Sequence, residues 1–211
     1  MKQQTLILVL AGTVAAASGL WLALQQQQAD STPTVVTNSV STLLPQPKPL
    51  SEFLLEDGQG RPFGVDQFKG AWDLVFFGFT HCPDICPTSL ATMAKARSIL
   101  NDAGVPSKDL PRLNFISVDP IRDKTADIAN YAAYFKADIR AATGSKQELD
   151  NLSRQLGVVA YVPPDATEQG NYNVDHSAAI IIIDPQARYA GIYSAPHVAT
   201  DIADDFKRFT Q

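Results

Sequence analysis

Apolar positions along this chain recur in short runs of two kinds, and their spacing predicts strands alternating with helices. Asp73–Phe79 is a β-branched and aromatic run of the kind that forms a strand buried on both faces. Leu90, Met93, Ala94 and Leu100 follow at helical spacing, with Pro87 suited to the first position of that helix. Leu113–Val118 is the next apolar run, expected parallel to the first strand because a helix separates them. A second helix is expected to carry Ile128, Tyr131, Ala132 and Phe135 on one face. A third begins at Ser145, where Glu148 completes an S-x-x-E capping box; it carries Leu149, Leu152 and Leu156 and stops at Gly157. Ala178–Ile183 and Arg188–Tyr193 read as a hairpin around Asp184-Pro185-Gln186-Ala187. A last helix, from about Thr200 to Phe209, turns Ile202, Phe206 and Phe209 inward. Ahead of all these, Phe53–Gly60 and Phe63–Phe68 read as a strand, a turn and a short return. A β-α-β-α-α-β-β-α order of this kind makes an α/β domain with a mixed sheet.

The first 48 residues follow neither period. Thr5–Leu24 is uncharged and about as long as a helix must be to cross a bilayer, so it is expected to be a transmembrane anchor, with a cleaved signal peptide as the rival reading. Residues 1–4 then form a cytoplasmic tip, since Lys2 precedes the apolar stretch. Residues 25–48, rich in Gln, Ser, Thr and Pro, have the composition of a flexible linker, which leaves 49–211 as the folded domain. No arginine occurs before Arg61, unlike a mitochondrial presequence, which favours the bacterial inner membrane, single-pass, with the domain in the periplasm.

Composition narrows the function classes. A net charge of −5 gives no basic footprint, which argues against nucleic-acid binding. Only two cysteines occur, Cys82 and Cys86, and they sit in the loop between the first long strand and its helix, in Thr80-His81-Cys82-Pro83-Asp84-Ile85-Cys86-Pro87. They leave three options: a metal site, a redox pair or a small structural disulfide. Cys86 is expected at the helix N-terminus, where the macrodipole should make its thiol ionise more readily. Two thiolates alone rarely make a stable site. The histidines are His81, His176 and His197, and of these His197 reads as surface.

Strand, Thr-His-Cys-Pro-Asp-Ile-Cys-Pro, then helix resembles the copper-binding Sco/SenC family of thioredoxin-like proteins. Ser117-Val118-Asp119-Pro120-Ile121-Arg122-Asp123 resembles that family's Ser-Val-Asp-Pro-x-Arg-Asp element, and Val174-Asp175-His176-Ser177 its histidine motif. The resemblance spans about Ser51–Phe209. It implies a thioredoxin-like fold in which the segment entering the late apolar strand passes beside the cysteine loop, so that Cys82, Cys86 and His176 are the metal ligands. Sulfur and imidazole donors suit copper, Cu(I) or Cu(II), ahead of zinc, which would want a fourth ligand. His81, Asp84, Asp119 and Asp123 are candidates to tune the site from behind the ligands, with turn and helix-capping duties as the plain alternative for the two later aspartates. The implied function is a membrane-tethered copper chaperone, not an enzyme, that assists assembly of the CuA centre in cytochrome c oxidase subunit II. A copper donor is a further expected partner, and because thiols must be reduced before they bind copper, a thiol reductant is expected as well. The competing class is a thiol–disulfide oxidoreductase using Cys82 and Cys86 as its redox pair, although three residues between the cysteines depart from Cys-x-x-Cys. A copper or redox sensor is a further alternative.

Overall fold

The computed structural model describes residues 40–210. Its centre is strand β4 (Asp73–Gly78), all six residues of which are buried. Phe76 and Phe77 are fully enclosed, each contributing about 1.5–3 kcal/mol by leaving water. β4 lies parallel to β5 (Arg112–Ser117), which lies parallel to β6 (Ile139–Thr143). On its other side β4 pairs antiparallel with β9 (Ile180–Ile183), and β9 with β10 (Arg188–Tyr193). β1 (Ser41–Pro49) closes one edge against β10, and the hairpin of β2 (Leu55–Asp57) and β3 (Pro62–Phe63) closes the other against β6. The sheet is therefore mixed, as expected of a thioredoxin-like domain.

Helix α1 (Ile85–Asp102) connects β4 to β5, and α2 (Thr125–Tyr134) connects β5 to β6. α3 (Lys146–Leu156) follows, capped by Ser145, whose Oγ accepts the Glu148 N–H. Gly157 ends it in the left-handed region at φ 67°. The Glu148 carboxylate does not complete the reciprocal half of the box; it accepts the Leu54 N–H at 3.0 Å and ties the helix to the chain before β2. α4 (Ala199–Thr210) buries Ile202 and Phe206 and packs on α1; the Phe209 side chain lies outside the description.

Register explains what the sheet gathers. Gly78 at the end of β4 lies beside Ser117 at the end of β5, and Phe76 lies opposite Ile180 at the start of β9. The cysteine loop, the Asp119–Asp123 turn and the segment entering β9 thus leave the sheet at one end. The opposite end is locked by Asp73, whose carboxylate is shared by Arg112, Arg140 and Asn114 at 2.6–3.1 Å.

Several expectations change. β6 falls in a segment where no strand was expected, and β7 (Ala160–Tyr161) with β8 (Asp175–His176) adds a two-residue ribbon apart from the main sheet. The return segment is only β3, followed by a 3-10 turn at Val65–Phe68. Residues 41–48, read as linker, belong to β1, because Ser41–Leu43 and Lys48 pair with β10 on either side of an irregularity that holds Pro45 and Pro47. The transmembrane anchor is corrected as well. Among the described residues no helix is long and apolar enough to cross a membrane. The longest, α1, carries Lys95, Arg97 and Asp102. The stretch 5–24 lies outside the described residues, and the described residues supply no spanning helix for an anchor, a membrane tether or a single-pass inner-membrane topology.

Candidate metal centre

Cys82, Cys86 and His176 come together at the open end of β4, with one donor atom from each lying within 4.8 Å of the others. Three local devices build the arrangement. The Cys82 N–H donates to Phe79 O at 3.2 Å, folding the loop tightly back after the strand. Cys86 follows in the first turn of α1, and its N–H donates to Cys82 Sγ at 3.4 Å. Gly78 supplies the space: a Cβ there would stand 2.6 Å from Cys86 Sγ, so the sulfur occupies the volume a side chain would take.

His176 reaches in from the β7–β8 ribbon. Its Nε2 is 3.3 Å from Cys86 Sγ, while Nδ1 lies 3.1 Å from Ser177 O. A carbonyl only accepts, so Nδ1 carries the proton and Nε2 presents its lone pair toward the sulfurs. Phe76 and Phe79 stand edge-on to the imidazole at 5.9 and 5.8 Å and limit its rotation. Burial holds the imidazole below its ordinary range, which favours the neutral, ligating form. Cys86 behaves otherwise than its helix position suggests. Burial first, and then the adjoining Cys82 sulfur, push its thiol well up, outweighing the helix terminus. Cys86 is fully enclosed, Cys82 is 9% exposed and His176 is only part-buried, so the cluster opens to its surroundings beside the imidazole and Cys82 and not at Cys86.

The aspartates fall into two kinds. Asp123 does not cap α2: it is buried and accepts Thr80 N–H at 2.8 Å, Thr80 Oγ1–H at 2.5 Å and Ser117 Oγ–H at 2.6 Å, which fixes the start of the cysteine loop. Asp119 is equally buried, and accepts Arg122 Nε–H at 2.6 Å and Tyr172 O–H at 2.7 Å. Asp84 is exposed at the N-cap of α1 and makes no side-chain cap bond there. His81 points outward, 59% exposed, with Nδ1 3.6 Å from Asp123. His197 is not a surface residue; half-buried, it donates from Nε2 to Ala178 O at 2.7 Å and holds the segment following His176. Arg122, Tyr172 and His197 escape a sequence reading, since none has ligand character at a telling spacing. The Arg122 position within the Asp119–Asp123 motif was the sole signal.

A thioredoxin-like domain with a dithiol and an imidazole converging at one sheet end defines a class of metal-handling protein. Comparison places it further: a family model described as SCO1/SenC matches residues 42–211, and the chain belongs to that family. The bovine protein SCO2 homolog, mitochondrial, is 34% identical over 206 residues, 97% of this chain and 75% of that protein. The crystal structure of Arabidopsis thaliana ScoI with copper bound superposes with a TM-score of 0.67 at 29% identity, over 75% of this chain and 96% of the other. Apo Sco1 from Thermus thermophilus in solution gives 0.71 at 30%, over 83% and 99%. The donor set here, two sulfurs and one neutral imidazole nitrogen, fits copper.

Proposed function

We propose that Cys82, Cys86 and His176 together hold one copper ion, and that the protein is a copper chaperone acting in cytochrome c oxidase assembly. The observation that carries this is the convergence of the two sulfurs and Nε2 within 4.8 Å, in a chain of the SCO1/SenC family. Two soft sulfurs and one nitrogen satisfy Cu(I) and also accept Cu(II). Three donors leave room for an incoming ligand to bind before one of the three departs, which suits transfer to a partner better than permanent storage. The recipient we infer is the CuA site of oxidase subunit II, with a copper donor and a thiol reductant upstream. Both sulfurs must be reduced and must lose their protons to the metal as it binds.

Copper titration of the reduced protein tests this. Wild type should take up one copper per chain and show sulfur-to-Cu(II) charge-transfer absorption, which His176→Ala should weaken or shift. Absence of specific copper binding, together with ready disulfide exchange against a test substrate, would move the protein to the thiol–disulfide oxidoreductases.

A further inference from the structure

The donor set alone does not explain a costly feature behind it. Arg122 is 5% and Asp119 0% exposed, so a complete ion pair has been removed from water. Such burial is costly unless geometry offsets it, and Arg122 Nη2 finds no hydrogen-bond partner among the described residues. The partners of Arg122 outside its own turn lie in two places. Its guanidinium stacks 3.5 Å above the Tyr172 ring, and Nη1 donates to Tyr172 O at 2.9 Å and Gly170 O at 3.5 Å. It also lies 5.5 Å from the centre of the Phe79 ring. Tyr172 in turn donates its hydroxyl to Asp119, which closes a ring of contacts through Asp119, Arg122 and Tyr172.

Both places lead into the metal centre. Tyr172 belongs to the 162–174 loop, which has no helix or strand of its own and ends directly at Asp175 and His176 in β8. Phe79 bears edge-on against the imidazole. The ribbon carrying His176 is two residues long on each side, too short to fix the ring unaided. We infer that Arg122, seated by Asp119 and stacked on Tyr172, is the positioning residue for His176, holding the approach to β8 so that Nε2 faces Cys86. This rests on the reading of His176 as a copper donor. Lysine cannot replace it, because stacking, the Asp119 contact and the two carbonyl contacts together need a planar fork.

The test uses the full chain as wild type, Arg122→Lys, Tyr172→Phe and Arg188→Gln. The last breaks the Asp184 pair at the opposite end of the sheet and controls for stability. In reduced, metal-free protein, long-range proton–nitrogen NMR of His176 should report one Nδ1-protonated tautomer in wild type and in Arg188→Gln. Arg122→Lys and Tyr172→Phe should show mixed tautomers or averaged ring shifts. After loading with Cu(II), all four should bind one copper, with release to a chelator roughly 10–100-fold faster in Arg122→Lys. The increase should be smaller in Tyr172→Phe, which keeps the stacked ring. Unchanged His176 signals in both variants, with release within about twofold of Arg188→Gln, would overturn the assignment and leave Arg122 a structural residue. If Arg122→Lys does not fold, Tyr172→Phe decides by the same two readouts. Absence of nitrogen coupling to Cu(II) already in wild type would instead sink the donor reading, while the metal-free spectra would still decide the role of Arg122.

Discussion

At Cys86 two local rules oppose each other. A helix N-terminus favours the thiolate and enclosure favours the thiol, and enclosure prevails because the sulfur is fully buried in the space left by Gly78. That space is a requirement of the site as much as of the fold. Gly78→Ala would drive a methyl group to 2.6 Å from Cys86 Sγ and to 3.2 Å from the Phe76 and Phe115 rings. Overpacking of this kind costs about 1–3 kcal/mol. The expected result is a lower denaturation midpoint together with an altered charge-transfer spectrum of the copper-loaded protein. A change in the midpoint alone would show that the sulfur relaxes elsewhere without loss of geometry. His197 illustrates the reverse relation between residue and site. A lone histidine between Pro196 and Val198 gives no sign that its ring will support the backbone after His176, since the contact is made to a carbonyl 19 positions earlier.

Elements were legible where a local device announced them. Ser145 and Gly157 bracket α3 because a hydroxyl cap and a left-handed terminus are decided within a few residues; Gly157→Ala, forced to φ 67°, should cost about 1 kcal/mol in chemical denaturation. β6 was not legible: Arg140, Ala141 and Ala142 lack strand character on their own, and the segment becomes a strand by pairing with β5 and β2. The same holds for β1, whose prolines and glutamine resemble a spacer until β10 is beside it. A chain starting at residue 49 therefore loses an edge strand, whereas one starting at residue 40 keeps it. The shorter chain should unfold at lower denaturant and associate at high concentration through the bared β10, as read by circular dichroism and light scattering. Equal midpoints for the two would mean that β1 contributes nothing. The clustering of Cys82, Cys86 and His176 was legible because motif and donor chemistry coincide, but the contacts orienting the three side chains cross between loops, and no periodicity records them.

Across the whole molecule, buried ion pairs stand at both ends of the sheet, Asp73 with its two arginines at one and Asp119 with Arg122 beside the sulfurs at the other. Asp73→Ala would leave Arg112 and Arg140, 30% and 28% exposed, facing each other without their shared anion, and should lower the denaturation midpoint by less than the loss of a fully buried pair would. Copper stoichiometry should survive this wherever the protein remains folded, which equilibrium dialysis below the melting transition would check. Copper itself ties α1 to the ribbon ahead of β9, so loading should raise the melting temperature, and a chelator should reverse the gain. With free ligand at 100 times Kd the expected stabilisation is about 2.7 kcal/mol. The contact between Cys86 and His176 spans 90 positions of the chain. During synthesis the dithiol emerges long before the imidazole, and the two meet only when β9 has docked against β4. A chain still growing, or one stalled short of that docking, has two sulfurs but lacks the third donor, so full capacity for the metal arrives last and marks a domain that has finished folding.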